Sequence, residues 1–174
     1  MRSVWAVAML LAGLSLLGPL LAPFDPTAID LANRLSGPGT GNLLGTDALG
    51  RDILSRLLHG ARWSLGLAFV ISVLGLIIGT LAGLLAAQGG KVVDWSVMRV
   101  TDTFLAFPEL IAAVVIAGVL GAGTGSLIFA LTVTGWMRYA RVARGIGLSL
   151  QTRGYVVQAR LAGVSAAHIA WWHY

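Results

Sequence analysis

Three stretches of the chain, 3–24, 63–90 and 110–137, contain no Lys, Arg, Asp or Glu. A helix crosses the hydrocarbon of a bilayer with about 20 apolar residues, so each stretch is long enough to span. The first follows Met1-Arg2 directly, but its apolar run exceeds the roughly 7–15 residues of a secretory h-region. The sequence after it, PLLAPFDP, offers no small-residue cleavage site, so 1–22 reads as an uncleaved span. The third stretch contains GAGTG at 121–125, which predicts a turn. Apolar character extends upstream through TFLAFPEL and downstream through GWMRYARV, so this region divides into two spans, 103–121 and 126–143. With 64–88, the expected fold is all-α, a polytopic transmembrane helical bundle with four spans.

The polar segments set the orientation. From the end of the last span onward the chain carries Arg138, Arg141, Arg144, Arg153 and Arg160 with no acid among them, which assigns that end to the cytoplasm. Four spans then place the N-terminus, with Arg2, in the cytoplasm as well. The 23–62 segment lies outside. Its first part is rich in Pro, Gly, Asp and Asn and reads as an irregular extracytoplasmic loop. RDILSRLLHGARWSL then puts Ile53, Leu57 and Leu58 at helical spacing with Arg51, Arg56 and Arg62 between them. This suits a short interfacial helix leading into the second span, its arginines turned to headgroups or water. Trp5, Trp63, Trp95 and Trp136 fall near span ends, where indole rings sit among headgroups.

Composition supports the membrane reading. Hydrophobic residues make up 57% of the 174 and charged residues 11%, against about 25% charged in ordinary globular domains. Twelve Lys and Arg against seven Asp and Glu give net +5, but the basic residues gather toward the C-terminus and form no track for a nucleic-acid backbone. No nucleic-acid partner is expected. With no Cys and three scattered His (His59, His168, His173), neither a disulfide framework nor a metal site is expected. No nucleotide-binding loop or hydrolase motif is present, so no catalytic residue and no cofactor is assigned.

Within the spans, Gly75, Gly79 and Gly83 form two successive small-xxx-small steps that allow another helix close approach. Asp94 and Asp102 flank Arg99, and Glu109 follows Pro108, which should kink a helix there. Ionisable groups at membrane depth mark either a path or a buried pair. Glu109 and Asp102 are therefore the candidate pathway or buried-charge residues, with substrate contact and pairing to a neighbouring subunit both open. Arg138, Arg141 and Arg144 recur at i, i+3 and i+6, one basic stripe suited to a helix C-terminus and to anionic lipid. Tyr155, Val156, Ala159 and Leu161 line a second short helix, broken at 163–165 before another that begins near Ala166.

These residues carry a family resemblance. LLGTDALGRDILSRLLHGARWSL at 43–65, GG at 89–90 with Asp94, MRVTDTFLAFP at 98–108, WMRYARVARG at 136–145, and YVVQARLAGVS at 155–165 with His173 together resemble the permease subunits of binding-protein-dependent, ATP-driven importers. The branch is the one that handles dipeptides, oligopeptides and nickel. The resemblance implies a permease core over 63–174 that ends within a cytoplasmic coupling loop at 144–174. It also implies that Tyr155, Val156, Ala159, Gly163 and His173 contact an ATPase subunit. Val157, Gln158 and Trp172 depart from the family pattern, which usually has glutamate, alanine and a basic residue at these positions.

The implied partners are a homologous permease subunit forming a heterodimer, cytoplasmic ATPase subunits, an extracytoplasmic solute-binding protein and membrane lipid, in the cell inner membrane. AIDLANRLSGPGTGNLLGTD at 28–47 and the YVVQARLAGVS variant look more like the nickel permeases than the peptide ones. Such permeases typically have six spans, and four are read here. The 174-residue chain is therefore expected not to transport alone, and a non-transporting scaffold or an inactive truncated permease is the alternative.

Overall fold

The computed structural model describes residues 2–164, and helices dominate them. His173, Trp172 and the helix expected to begin near Ala166 lie outside the described residues. The chain divides into two compact units, Met1–Phe69 and Val70–Tyr174.

In the first unit, α1 (Arg2–Leu21) is 20 residues long, about 30 Å at 1.5 Å per residue. The loop that follows is irregular, as its Pro, Gly and Asp content predicts, and its own carboxylates organise it. Asp30 accepts the Ala32 N–H at 3.2 Å and caps a 3-10 turn at Leu31–Asn33. Gly50 has φ +74°, and a Cβ there would collide with the Asp30 carbonyl, so only glycine fits.

Asp52 caps α2 (Ile53–Gln88) by accepting both the backbone N–H and the hydroxyl of Ser55 at 2.7 Å. The Ser55 hydroxyl in turn accepts the Phe24 N–H at 3.1 Å, which ties the start of the loop to the start of the helix. Asp47 accepts from Arg51 Nε at 2.9 Å, from the Leu49 and Arg51 N–H groups at 2.8 and 3.0 Å, and from Arg56. Burial alone would raise its pKa, but the Arg51 and backbone hydrogen bonds outweigh it and hold the carboxyl down at about 2. Two of the arginines expected to face headgroups are thus bound to Asp47. The short interfacial helix is not separate either. It forms the first turns of α2, a continuous 36-residue helix that is long and apolar enough to cross a membrane.

In the second unit, Gly90 at φ +80° turns the chain from the end of α2 into α3 (Gly90–Leu105). Here the structure departs from the sequence reading. The region 103–121, expected as one kinked span, is divided between the end of α3 and α4 (Glu109–Leu120). The two helices are bent by 87° at residues 106–108. The residue before a proline is held out of the helical region, and Pro108 brings no amide hydrogen, so the helix stops instead of bending. At 12 residues, α4 rises about 18 Å, less than the hydrocarbon thickness.

Gly121 at φ +88° ends α4, and after the expected turn α5 (Thr124–Gln151) runs for 28 residues, well past the expected 126–143 span. The short helix read around Tyr155 is α6 (Gly154–Leu161).

The core of this unit lies along α5, whose Ala130, Met137, Ala140 and Ala143 are buried. The glycine stripe of α2 packs on it. A Cβ at Gly79 would stand 2.5 Å from Tyr139 Cβ, and one at Gly83 would stand 2.7 Å from Ala143 Cβ. Further along, a Cβ at Gly147 would come 2.8 Å from Ala87 Cβ. Gln151 Nε2 donates to the Ala87 carbonyl at 2.6 Å, satisfying one of the carbonyls left open at the end of α2. The close-approach partner foreseen for the glycines is therefore a helix of the same chain. Gly79→Val or Gly83→Val should lower stability by about 1–3 kcal/mol, the usual cost of overpacking. Gly118→Ala, where a Cβ meets nothing within 4 Å, should stay within about 0.5–1 kcal/mol of wild type. Thermal unfolding in detergent measures the difference, and equal midpoints would rule out a tight seam.

Candidate functional site

The stripe predicted from residues 138, 141 and 144 is present on α5, and each arginine meets a carboxylate. Arg138 Nη2 lies 2.8 and 2.9 Å from the two carboxylate oxygens of Glu109, in the first turn of α4. Arg141 Nη2 donates to Asp102 at 2.6 Å. Arg144 grips Asp94 with Nε and, at 2.6 Å, Nη2, the two-pronged geometry that suits a guanidinium to a carboxylate. As the arginine number rises along α5 the carboxylate number falls along α3 and α4, so the pairs form an antiparallel ladder.

The spacing follows from helix geometry. Three residues on α5 advance about 4.5 Å, and eight residues separate Asp94 from Asp102, about 12 Å along α3. Long arginine side chains converge across that mismatch. The pairs also differ in exposure. The Arg144 and Asp94 side chains are 31% and 26% exposed, and those of Arg141 and Asp102 are both 52%.

Glu109 and Asp102, the candidate pathway or buried-charge residues, thus face arginines of the same chain. Sequence reasoning found both acids and all three arginines but did not join them. The available signal was the match of three acids at intervals of eight and seven residues to three arginines at intervals of three.

The residues expected to contact an ATPase occupy α6 and its end. Val156 is fully buried and anchors the helix, while Tyr155 is 47% and Leu161 83% exposed. Ala159 is half-buried. Gly163 has φ +80°, and the Val164 N–H reaches the Ala159 carbonyl at 3.1 Å, a six-residue closure that ends a helix with glycine in the left-handed region. His173 lies outside the described residues. Among the described residues, no group of three or more His, Cys, Asp or Glu is placed to hold a metal ion.

Residues 75–174 match the family described as binding-protein-dependent transport system inner membrane component. Several curated relatives align along most of the chain. The nickel transport system permease protein NikC of Escherichia coli (strain K12) is 41% identical, with 97% of this chain and 62% of the relative covered. The dipeptide transport system permease protein DppC of Haemophilus influenzae is 35% identical, covering 89% and 55%. The probable D,D-dipeptide transport system permease protein DdpC of Escherichia coli (strain K12) is 35% identical, covering 98% and 57%. The chain spans less than two thirds of the length of each of these relatives.

The ladder makes a graded energetic prediction. Asp94→Asn leaves Arg144 without its counter-charge and should cost about 1.5–3 kcal/mol, the range for hydrogen bonds to charged groups. Asp102→Asn, at an open pair, should cost about 0–1 kcal/mol. A double-mutant cycle on Asp94 and Arg144, read by chemical unfolding in detergent, should return a coupling energy larger than the same cycle on Asp102 and Arg141. Equal couplings near zero would mean that the ladder does not hold the helices.

Proposed function

We propose, from the premise that this chain belongs to the family of binding-protein-dependent transport system inner membrane components, that it is a permease subunit of an ATP-driven importer. In this reading it is a multi-pass inner-membrane protein with its N-terminus in the cytoplasm. It forms half of a pore with a homologous permease subunit, above cytoplasmic ATPase subunits and below an extracytoplasmic solute-binding protein. It is not itself an enzyme, and ATP is hydrolysed by the separate subunits. Nickel is the proposed cargo, on the strength of the 41% identity to a nickel permease; di- and oligopeptides, named for relatives at 35%, are the runner-up.

The observation that carries the mechanism is the continuity between α6 and the ladder. Only residues 152 and 153 separate the end of α5 from α6, and α5 bears all three arginines. Tyr155, Leu161 and the turn at Gly163 dock in a groove of the ATPase subunit. When ATP draws the ATPases together, α6 is displaced and α5 moves with it. The Arg144–Asp94 and Arg141–Asp102 pairs pass the displacement to α3, and the Arg138–Glu109 pair passes it to α4. The break at 106–108 lets α4 change its angle to α3, which opens the path on alternate sides of the membrane.

Gly163→Val tests this coupling. A β-branched residue in the left-handed region costs about 1–2 kcal/mol and should unfold the docking turn while leaving α5 intact. In the full-length protein assembled with its partners, ATP-dependent uptake should fall at least about tenfold, a barrier change of about 1.4 kcal/mol, while membrane insertion is unchanged. A cysteine in place of Tyr155 should cross-link to the ATPase subunit. Wild-type uptake in Gly163→Val together with no cross-link would remove the coupling role.

A further inference from the structure

One face of α3 carries a cleft that the ladder does not use up. Lys91, Asp94, Trp95, Met98, Arg99 and Asp102 recur at intervals of three and one, so they line one side of the helix, and Arg144 of α5 closes the cleft, whose volume is about 310 Å³. That size is at the small end of ligand-binding clefts, roughly 300–1,000 Å³. The two carboxylates are already engaged, Asp94 by Arg144 and Asp102 by Arg141. Lys91 and Arg99 remain, and among the described residues neither has a carboxylate partner. The guanidinium of Arg99 stands 5.4 Å above the Trp95 ring, a cation–π contact that holds it beside the cleft.

The surroundings say what kind of anion comes here. Val92 is 78% and Trp95 62% exposed, and Val93 and Val100 are exposed as well. Exposed valines, an indole and two uncompensated cations on one short helix are the composition of an element lying in the membrane–water interface, its apolar side among acyl chains and its cations at the phosphates. A soluble anion would have no use for that apolar border. A phospholipid satisfies both halves at once.

We propose that the Lys91–Trp95–Arg99 cleft of α3 binds the phosphate headgroup of an anionic phospholipid, with the acyl chains against Val92 and Trp95. The bound lipid sits directly against the Arg144–Asp94 rung and completes the charge balance of that end of the ladder. This inference rests on the membrane placement of the family and not on the transport reading, so lipid retention and uptake test the two separately.

Native mass spectrometry of the full-length protein in detergent, titrated with phosphatidylglycerol, measures the affinity directly. A cation near an anionic surface contributes about fivefold to binding, so Lys91→Gln with Arg99→Gln should weaken it about 25-fold. Lys91→Arg alone should bind as wild type does, and so should Arg34→Gln, a change in the exposed loop outside the cleft. Circular dichroism establishes that the double variant is folded. The proposal is overturned if the folded double variant retains phosphatidylglycerol as wild type does, or if phosphatidylcholine binds equally well. Displacement of the lipid by an equal concentration of inorganic phosphate would also overturn it, in favour of a site for a soluble anion.

Discussion

A guanidinium cannot be neutralised in a protein, so a helix with three of them in one stripe calls for carboxylates brought to it by its neighbours. In this chain α5 is that helix, and the arrangement of α3 and α4 answers its demand. Asp94, Asp102 and Glu109 fall on two helices of different direction, yet each reaches an arginine on one face of α5. The break at 106–108 belongs to this solution, because it gives the segment bearing Glu109 its own direction. The rung nearest α6, Arg144 with Asp94, is the most enclosed and has the two-pronged geometry, so restraint is strongest where the proposed input arrives.

The other side of α5 is held by a different force. Lipid tails are as apolar as leucine, so helices in a membrane gain little from burying leucines against each other and much from close backbone approach. Gly79 and Gly83 bring α2 against the backbone of α5 at Trp136 and Ala140, and Ala143 and Gly147 continue the contact. At Gly79 and Gly83 the nearest α5 atoms are backbone or Cβ atoms, which cannot swing aside, so a larger residue on α2 has nowhere to go. Charge pairing on one face and steric fit on the other make α5 the common member of the unit.

Much of this was legible from the sequence, for identifiable reasons. Turns were, because GAGTG at 121–125 and Gly163 act through local backbone conformation, and both appear as left-handed glycines where a helix ends. The α6 helix and the glycine stripe were, because they follow from periodicity. The partner of the stripe was not, since a face that permits close approach does not say which helix comes. Pairing of Arg138, Arg141 and Arg144 was missed for the same reason. Their stripe read as a contact for lipid, and the acids read as a path or as a contact for a neighbouring subunit, because the fold that joins them spans up to 50 residues of chain. Helix ends were misjudged in both directions. Pro108 stops a helix where a kink was expected, and nothing between Ile53 and Trp63 breaks the helix that was read as two.

The proposed coupling requires that α3 and α5 move as one body. Pulsed electron-electron double resonance between spin labels at Val100→Cys on α3 and Val142→Cys on α5, both exposed positions, tests it in the assembled complex with and without trapped ATP. One distance is expected, unchanged between the two states, because the Arg144 and Arg141 rungs hold throughout. A shift by as much as one helical turn, about 5.4 Å, would mean that the ladder breaks during the cycle, and α5 could not then carry the displacement to α3.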